Sequence, residues 1–401
     1  MTSIVYYTQN LRDLLWVLPI FQETGGTFCS ELETTCRQVR EYDATLPIRH
    51  LPTKGKWTIG RDIETRRLKL KRKPLRLTLE QVARELKPDI LVTTSNHRHA
   101  ISRERRAQLA RKNLSWNQVK QVQAFHGVSS KGVKFNPWMS DFDLLLLPGR
   151  RERDKFESLR VLDSASYELI GHPKSDRVLR GEITRETARQ ALGLSDAPTV
   201  LYAPTYGALS SFFKWGEAIC ESVPSQCNLI VKPHPSLVTN SQSDKSGLKT
   251  IERVRQMLEN RGALWLPHEP DVVPLMAASD ILVTDYSSVA EEFLIFDRPL
   301  VFADHLANAT DNASRNDRAH RDKGDWDDIF ACGHIVTEIE AMPAAIAVAV
   351  GESQGAGSST RNSGITDERA PIRRQLRDYV FENLDGHCAQ RAADAIESLV
   401  A

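Results

Sequence analysis

The amino-acid sequence predicts an α/β protein with two doubly wound domains that face each other across a cleft. Strand-like segments alternate with helical segments almost throughout, which is typical of βαβ units and parallel sheets. The strand segments are continuously apolar, as expected where helices cover both faces of a sheet. The chain has 401 residues, of which 41% are hydrophobic, and this is enough for two separate cores.

The first half of the chain supplies five predicted strands. Each is an apolar run that ends in polar residues or glycine, and they lie at 3–8, 89–95, 120–127, 143–149 and 166–172. Helical periodicity predicts helices at 78–88 and 150–162 between them. This order of strands and helices indicates one open parallel sheet.

The second half repeats the plan. Its predicted strands lie at 199–205, 228–235, 263–268, 280–287 and 299–304. Helices are predicted at 184–192, 249–261 and 288–296, and Thr184 suits the N-cap position of the first of them. A further helical pattern covers 372–400.

The charge distribution divides the chain near residue 180. Residues 1–180 carry 33 Lys and Arg against 20 Asp and Glu, whereas residues 181–401 carry 20 against 32. The strand pattern restarts at the same place. We therefore predict a first domain over 1–180, a second over 181–375 and a C-terminal helical segment over 376–401. The positive first half indicates an anionic partner.

Several classes of protein are disfavoured by the composition. No apolar run reaches the ~18 residues of a membrane-spanning helix, and the start, MTSIVYYTQN, lacks the layout of a signal peptide. The six cysteines form no CxxC pair and no zinc-type spacing, which suits a reducing cytoplasm. Neither GxGxxG nor a P-loop pattern follows a predicted strand, so we expect no nucleotide cofactor of these kinds. No clear set of metal ligands appears, so we expect no metal site.

Positive charge is densest in RRLKLKRKPLR, residues 66–76, which holds seven basic side chains and no acidic one. Nucleic acid is a poor partner for this segment, because it has no interleaved aromatic residues and belongs to no recognised binding module. An anionic membrane surface or a phosphorylated polymer fits better. A merely solvated basic face is the alternative.

Ligands of open parallel sheets bind beyond the carboxyl ends of the strands. The predicted strand 280–287 runs into Asp285, Ser287 and Ser288 and then directly into a helix. Backbone N–H groups at such a helix start, together with two hydroxyls, form an anion site suited to a diphosphate. Ordinary capping of the helix by Asp285 or Ser287 is the alternative.

The strand 228–235 ends in Lys232 and His234, and the prolines on either side of His234 fix the backbone around its imidazole. A histidine held in this way can donate to a phosphate oxygen. A structural histidine in a turn is the alternative.

His126 ends the strand 120–127. Gly127 follows it and lets a ligand approach the backbone, and Lys131 can compensate phosphate charge. A buried histidine beside Phe125 is the alternative here.

Taken in order, these motifs resemble those of the CDP-glycerol glycerophosphotransferase family, the enzymes that prime or polymerise teichoic acids and related glycerol-phosphate polymers. The similar segments are HGVSSKG (126–132), GHPKSD (171–176), LYAPTY (201–206), VKPHP (231–235) and VTDYSSVAEEFLIFDRPLVF (283–302). The terminal NLDGHCAQRAADAI resembles the closing segment of the family.

The resemblance implies a GT-B architecture of two Rossmann-like domains, with an acceptor-side first domain, a second domain that binds the CDP-polyol, and a closing helix that returns to the first. It implies transfer of glycerol phosphate from CDP-glycerol to a hydroxyl of a polymer or lipid-linked acceptor, with release of CMP. The protein would work on the anionic inner face of the cell membrane without inserting into it.

His126 is then our candidate general base and His234 the residue that stabilises the departing CMP, which makes these two the predicted catalytic residues. The predicted substrate-binding residues are Gly127, Lys131, His172, Lys232, Asp285, Ser287, Ser288 and Glu292.

Three alternatives stay open. CDP-ribitol could replace CDP-glycerol, because pocket shape decides the length of the polyol. A UDP-sugar glycosyltransferase or 2-epimerase of the GT-B class would also hold a diphosphate at a helix start. A non-catalytic protein with the same fold would bind an acidic polymer and release no CMP.

Overall fold

The computed structural model describes residues 2–52, 56–61, 68–73, 78–94, 100–112, 118–125, 136–241, 245–308, 326–356 and 366–400. Three predicted site residues, His126, Gly127 and Lys131, lie outside the described residues. Within the basic segment, 68–73 is described.

The first sheet is built from strands β1 (Ile4–Tyr7), β2 (Thr27–Ser30), β3 (Ile48–His50), β6 (Ile90–Thr93), β7 (Lys120–Ala124), β8 (Leu144–Leu147) and β9 (Ser166–Leu169). In the described part of the chain all seven are parallel, in the spatial order β3-β2-β1-β6-β7-β8-β9. The strand order reverses between β1 and β6, where Val5 pairs with Thr27 on one side and Leu91 on the other. The helices of this half are α1 (Leu11–Thr24), α2 (Glu33–Tyr42), α3 (Leu79–Leu86), α4 (Arg103–Ala110) and α5 (Arg150–Ser158).

A separate antiparallel hairpin consists of β4 (Lys56–Arg61) and β5 (Leu68–Lys73). It coincides with the densest basic stretch of the sequence. No strand was predicted in this stretch.

The second sheet is built from β10 (Thr199–Tyr202), β11 (Asn228–Val231), β12 (Leu264–Trp265), β13 (Ile281–Thr284), β14 (Leu300–Ala303) and β15 (His334–Val336). As far as the structure describes the chain, these strands are all parallel in the order β12-β11-β10-β13-β14-β15. The reversal lies between β10 and β13. Both sheets are therefore doubly wound, as predicted.

The helices that follow the first sheet are α6 (Asp176–Leu179), α7 (Arg185–Ala191), α8 (Phe212–Ser222), α9 (Pro235–Ser241), α10 (Lys245–Arg261), α11 (Val273–Ala278), α12 (Val289–Phe293), α13 (Asp327–Phe330), α14 (Met342–Ala356), α15 (Ala370–Val380) and α16 (Cys388–Glu397). The predicted N-cap of α7 is confirmed, because the Thr187 N–H donates to the Thr184 hydroxyl. None of the helices in the described ranges combines the length and the apolar character that a bilayer crossing requires.

Both faces of each sheet are buried, which explains the continuously apolar strands. On β8, Leu145 packs with Phe156 on one face, and Leu146 packs with Trp16 on the other. On β13, Leu282 belongs to the apolar cluster on one face of the second sheet, and Ile281 and Val283 belong to the cluster on the other face.

The predicted strands are confirmed in all ten cases, although several end a few residues earlier than the apolar run. Strands β2, β3 and β15 were not predicted. The helical pattern over 372–400 is divided into α15 and α16, because Asn383 and Gly386 adopt positive φ angles of 41° and 83° between them. The proposed boundaries at 180 and 375 stay a prediction.

The chain returns to the first sheet at its end. Helix α16 packs on α1, with Ala392 and Ile396 buried in the same cluster as Leu14. The start of α16 is held by Asp176, whose carboxylate accepts from the N–H groups of Cys388 and Ala389 at 3.1 and 2.7 Å. This arrangement agrees with a closing helix that returns to the first half.

Candidate active site

The strand-end motifs gather at the carboxyl edges of the two sheets. In the second sheet, the loops after β10 and β13 flank the point where the strand order reverses, and the loop after β11 lies next to them. This is the position at which open α/β sheets bind ligands. The loop after β1 and the turn after β9, both from the first sheet, lie opposite these loops of the second sheet.

Asp285 ties the loops after β13 and β10 together. Its carboxylate accepts from the Thr205 N–H at 2.8 Å, and from the N–H and hydroxyl of Ser211 at 2.7 and 2.9 Å. The residue is buried. Both carboxylate oxygens therefore have protein partners, and Asp285 shapes the site by positioning these loops.

Ser287 and Ser288 form the turn between β13 and α12. The Ser287 N–H donates to the Asp285 carbonyl at 2.8 Å, and the Ser287 hydroxyl accepts from the Val289 N–H at 3.4 Å. Ser288 is the N-cap residue of α12 and is half-buried. The helix start thus faces the edge of the sheet at which the other motifs meet.

His234 is held from three directions. The backbone N–H of His234 donates to the Pro204 carbonyl at 3.2 Å, and the Ser236 N–H donates to Nδ1 of the ring at 3.1 Å. The Tyr206 ring stacks on the imidazole, with the ring centroids 4.3 Å apart. On the fourth side, Nη1 of Arg12 lies 2.6 Å from Nε2. The imidazole therefore lies between the two halves of the molecule.

Lys232 is buried beneath this histidine loop. Its Nζ donates to the Pro233 carbonyl at 3.4 Å. Burial lowers the pKa of Lys232 to about 8. The carboxylate of Glu269 raises this pKa, whereas the nearby cations Lys174 and Arg12 lower it. An anion bound here would favour the charged form of the lysine.

His172 and Glu292 are brought together from opposite halves, with Nε2 and Oε2 3.7 Å apart. His172 is fully buried between the rings of Trp16 and Phe381. Burial opposes the charge of Glu292, but His172 and Lys174 outweigh it and lower the pKa of Glu292. In this arrangement the pair joins the two halves and does not line an open surface.

Ion pairs also cross between the halves. Lys174 lies 3.2 Å from Asp271, and Arg151 lies 2.8 Å from Glu291. Arg151 also contacts Glu152 at 3.2 Å. Burial opposes its charge, yet Glu291 and Glu152 raise the pKa of Arg151.

The structure places Lys232, His234, Ser287 and Ser288 in loops at the same edge of the second sheet, and it brings Glu292 within 3.7 Å of His172 of the first half. It adds Arg12, Arg151 and Asp271, which sequence reasoning missed, and it gives Lys174 of the GHPKSD motif an ion pair. Arg12 has no motif around it. In the described ranges, no group of three or more His, Cys, Asp or Glu side chains could hold a metal ion.

Comparisons with known proteins place this geometry in context. A family model described as CDP-glycerol:poly(glycerophosphate) glycerophosphotransferase matches residues 54–309. The teichoic acid poly(glycerol phosphate) polymerase of Staphylococcus epidermidis is 29% identical over 182 residues, which is 42% of this chain. The match spans 23% of the length of that relative.

Solved structures show a similar fold. The wall teichoic acid polymerase TagF aligns with a TM-score of 0.58 and 16% identity, covering 99% of this chain and 89% of that one. The Anabaena protein HepE, in complex with UDP and glucose, aligns with a TM-score of 0.50 and 12% identity, covering 99% and 100%. The fold is therefore GT-B, with two parallel-sheet α/β domains.

Proposed function

Because the chain belongs to the CDP-glycerol:poly(glycerophosphate) glycerophosphotransferase family, we propose that it transfers glycerol phosphate from CDP-glycerol to a hydroxyl of a polymer or lipid-linked acceptor and releases CMP. The observation that carries the proposal is the position of Lys232 and His234 at a strand end beside the strand reversal, within the matched residues. The polymer would be a teichoic acid or a similar envelope or capsule polymer.

In the proposed reaction, the acceptor oxygen attacks the β-phosphorus of CDP-glycerol. A new O–P bond forms while the P–O bond to CMP breaks, and CMP leaves with the electron pair. His126 takes the acceptor proton, and Gly127 and Lys131 lie close to it in sequence. His234 donates to the diphosphate and stabilises the departing CMP.

The remaining predicted residues support the diphosphate. Ser287 and Ser288 at the start of α12 contribute hydroxyls and N–H groups, and Lys232 contributes charge. Asp285 positions the loops around them. His172 and Glu292 hold the two halves in register, so we assign them an indirect role in substrate binding.

The nucleotide that is released tests this function directly. Purified protein is incubated in turn with CDP-glycerol, CDP-ribitol and UDP-sugars, with and without glycerol-phosphate oligomers, and the liberated nucleotide is identified. CMP released from CDP-glycerol in the presence of oligomer supports the proposal. UDP release would indicate a glycosyltransferase, and binding of oligomer without any nucleotide release would indicate a non-catalytic protein.

The two histidines are expected to dominate turnover. Replacing His126 or His234 by alanine should slow CMP release by ~10²–10⁴-fold, because each removes a proton donor or acceptor at the reacting centre. Steady-state rates with CDP-glycerol check this, with His387→Ala at an exposed position as the control. Folded variants of both histidines with normal rates would show that the assigned roles are wrong.

We further propose that the hairpin β4–β5 contacts the anionic inner surface of the cell membrane. Its register pairs Lys56 with Lys73 and Gly60 with Lys69, so that lysine positions accumulate on one face of the hairpin. Positive charge of this density attracts anionic lipid headgroups, at about 1 kcal/mol per basic residue.

Charge removal in the hairpin tests this contact. Replacing Lys69, Lys71 and Lys73 by glutamine should weaken binding to vesicles of anionic lipid at low salt, measured by co-sedimentation. The matched control replaces Arg37, Arg40 and Lys112, exposed residues elsewhere in the first half, by glutamine. Equal binding of the two variants would refute a specific role for the hairpin.

A further inference from the structure

Arg12 occupies an unfavourable position for a cation. It lies in the first turn of α1, at the carboxyl edge of the first sheet, where the strand order reverses. A positive charge at a helix N-terminus is destabilised by the helix dipole. The only carboxylate that pairs with Arg12 among the described residues is Asp13, at 3.6 Å, and 44% of the arginine side chain is exposed. Local stability therefore does not explain the residue.

The contact between Arg12 and His234 joins two hydrogen-bond donors. The Ser236 N–H donates to Nδ1 of His234, so Nδ1 carries a lone pair, and in a neutral imidazole the proton is on Nε2. That atom is the one that lies 2.6 Å from Nη1 of Arg12. Two N–H donors this close together repel each other, and an anion that accepts from both beside their contact would relieve the repulsion.

A second, independent observation comes from Lys232. The side chain is more than nine-tenths buried, and its ammonium donates to a carbonyl, that of Pro233, without forming an ion pair with any carboxylate in the described ranges. The charges of Lys174 and Arg12 act on it from the other half of the molecule. A buried cation without an ion-pair partner favours an anionic ligand.

We propose that Arg12 binds the phosphoryl group that the enzyme transfers, with its guanidinium donating to a nonbridging oxygen of the β-phosphate beside the Nε2–H of His234, which donates to the oxygen that joins this phosphate to CMP. This inference rests on the proposed function and specifies the first-half residue that completes the donor site. As the acceptor oxygen bonds to phosphorus and the bond to CMP breaks, Arg12 stays on the nonbridging oxygen, and His234 stabilises the oxygen that leaves with CMP. Arginine suits this role because its planar fork of N–H groups matches phosphate geometry.

The assignment makes donor recognition depend on both halves of the molecule. Lys232 and His234 come from the second half, whereas Arg12 comes from the first. In this arrangement a nucleotide without a β-phosphate would not reach Arg12, so CDP and CMP should respond differently to the loss of Arg12. This difference separates phosphate binding from a general effect on structure.

The test compares Arg12→Gln, Arg12→Lys and the control Arg37→Gln, which changes an arginine on α2 whose side chain is 68% exposed. Calorimetry gives the affinities for CDP and for CMP. We expect Arg12→Gln to weaken CDP binding by about tenfold or more and to leave CMP binding unchanged. Arg12→Lys should recover part of the loss, and Arg37→Gln should match the wild type.

Kinetics provide the second readout. Arg12→Gln should lower kcat for CMP release by at least ~100-fold, and combination with His234→Ala should cost less than the product of the two single effects. An unchanged preference for CDP over CMP in Arg12→Gln would overturn the proposal. Equal weakening of CDP and CMP, together with a lower unfolding temperature, would also overturn it, because Arg12 would then only hold the halves together.

Failure of the proposed function has a different signature. If the wild type prefers CDP to CMP but releases no CMP from CDP-glycerol with any acceptor, the proposed reaction is wrong. The CDP and CMP affinities of Arg12→Gln still decide whether Arg12 binds the β-phosphate.

Discussion

At the end of β11, Lys232 shows how the fold changes the chemistry of a single side chain. Burial lowers its pKa from the ordinary 10.5 to about 8, which corresponds to a penalty of about 3 kcal/mol for the charged form. Below pH 8 the folded protein carries this penalty in full. Between pH 8 and 10.5 the unfolded chain holds a proton that the folded chain has released, so stability rises with pH.

Replacing Lys232 by methionine removes this penalty. We expect Lys232→Met to be more stable than the wild type at pH 7, and this gain should shrink as the pH approaches 10. Urea unfolding at both pH values measures the difference, and Lys249→Met, at an exposed position of α10, is the control. A gain that does not vary with pH would show that the lysine is not the titrating group.

Single residues also mark the limit of prediction from sequence. His234 and Lys232 were predictable, because a strand that ends between prolines presents them at the ligand edge of a parallel sheet. Arg12 was not, because its neighbours form an ordinary amphipathic helix. Its partner His234 is 222 residues away in the chain, and only the folded structure brings them together.

At the scale of elements, the N-terminus of α16 is capped by a carboxylate that is distant in the sequence. Asp176 accepts from the first two N–H groups of this helix, although it lies 212 residues from Cys388. This is the role of an N-cap, provided here by a distant residue. Packing of α16 on α1 therefore couples the C-terminus to the turn that follows β9.

Removing that carboxylate should loosen the closing helix. Asp176→Ala is expected to lower the free energy of unfolding by about 1–2 kcal/mol, because two buried N–H groups lose their acceptor. Asp176→Asn, which keeps one acceptor oxygen, should lose less. Asp394→Ala, at an exposed position of the same helix, is the control in urea unfolding. Equal losses in the two alanine variants would contradict the capping role.

The strands that were not predicted lack a continuous apolar run, for physical reasons that differ between them. β2 is the four-residue segment TFCS after two glycines, and its hydroxyl and thiol side chains interrupt the apolar run. β3 and β15 are three-residue edge strands that are only partly buried, so they show no continuous apolar pattern. In the hairpin, Leu and Lys alternate over only the first four residues of β5, which is too short and too highly charged a pattern to predict a strand.

Across the whole molecule, buried charges join the two halves. Arg151 pairs with Glu291, Lys174 with Asp271, and His172 approaches Glu292. The opposite net charges of the two halves were visible in the sequence, but the pairing was not. Arg151 and Glu291 are 140 residues apart, so no local pattern connects them.

The contact at Glu292 should be sensitive to acid. Its pKa is lowered below the ordinary 4.5 in the folded state, because His172 and Lys174 outweigh the effect of burial. The stability that it contributes is therefore complete above pH 4.5 and is lost as the pH falls through the lowered value. Glu292→Gln lacks this contribution at every pH.

We expect the free energies of unfolding of the wild type and Glu292→Gln to differ at pH 7 and to converge below pH 4.5. Urea titrations across this range measure the gap. Glu340→Gln, an exposed glutamate of the second half, should show no such convergence. A gap that persists unchanged in acid would indicate that packing, not charge, holds this contact.

The polypeptide passes between its halves twice, after β9 and again after α15, and the two passages touch. A Cβ atom on Gly171 would lie 2.5 Å from the carbonyl oxygen of Glu382, so only glycine permits this proximity. Segments that connect two domains in this way are the places where a hinge motion between them bends the chain. Opening of the enzyme should consequently swing Arg12 away from His234 along an arc, so that donor and product enter and leave from the side opposite these pivots.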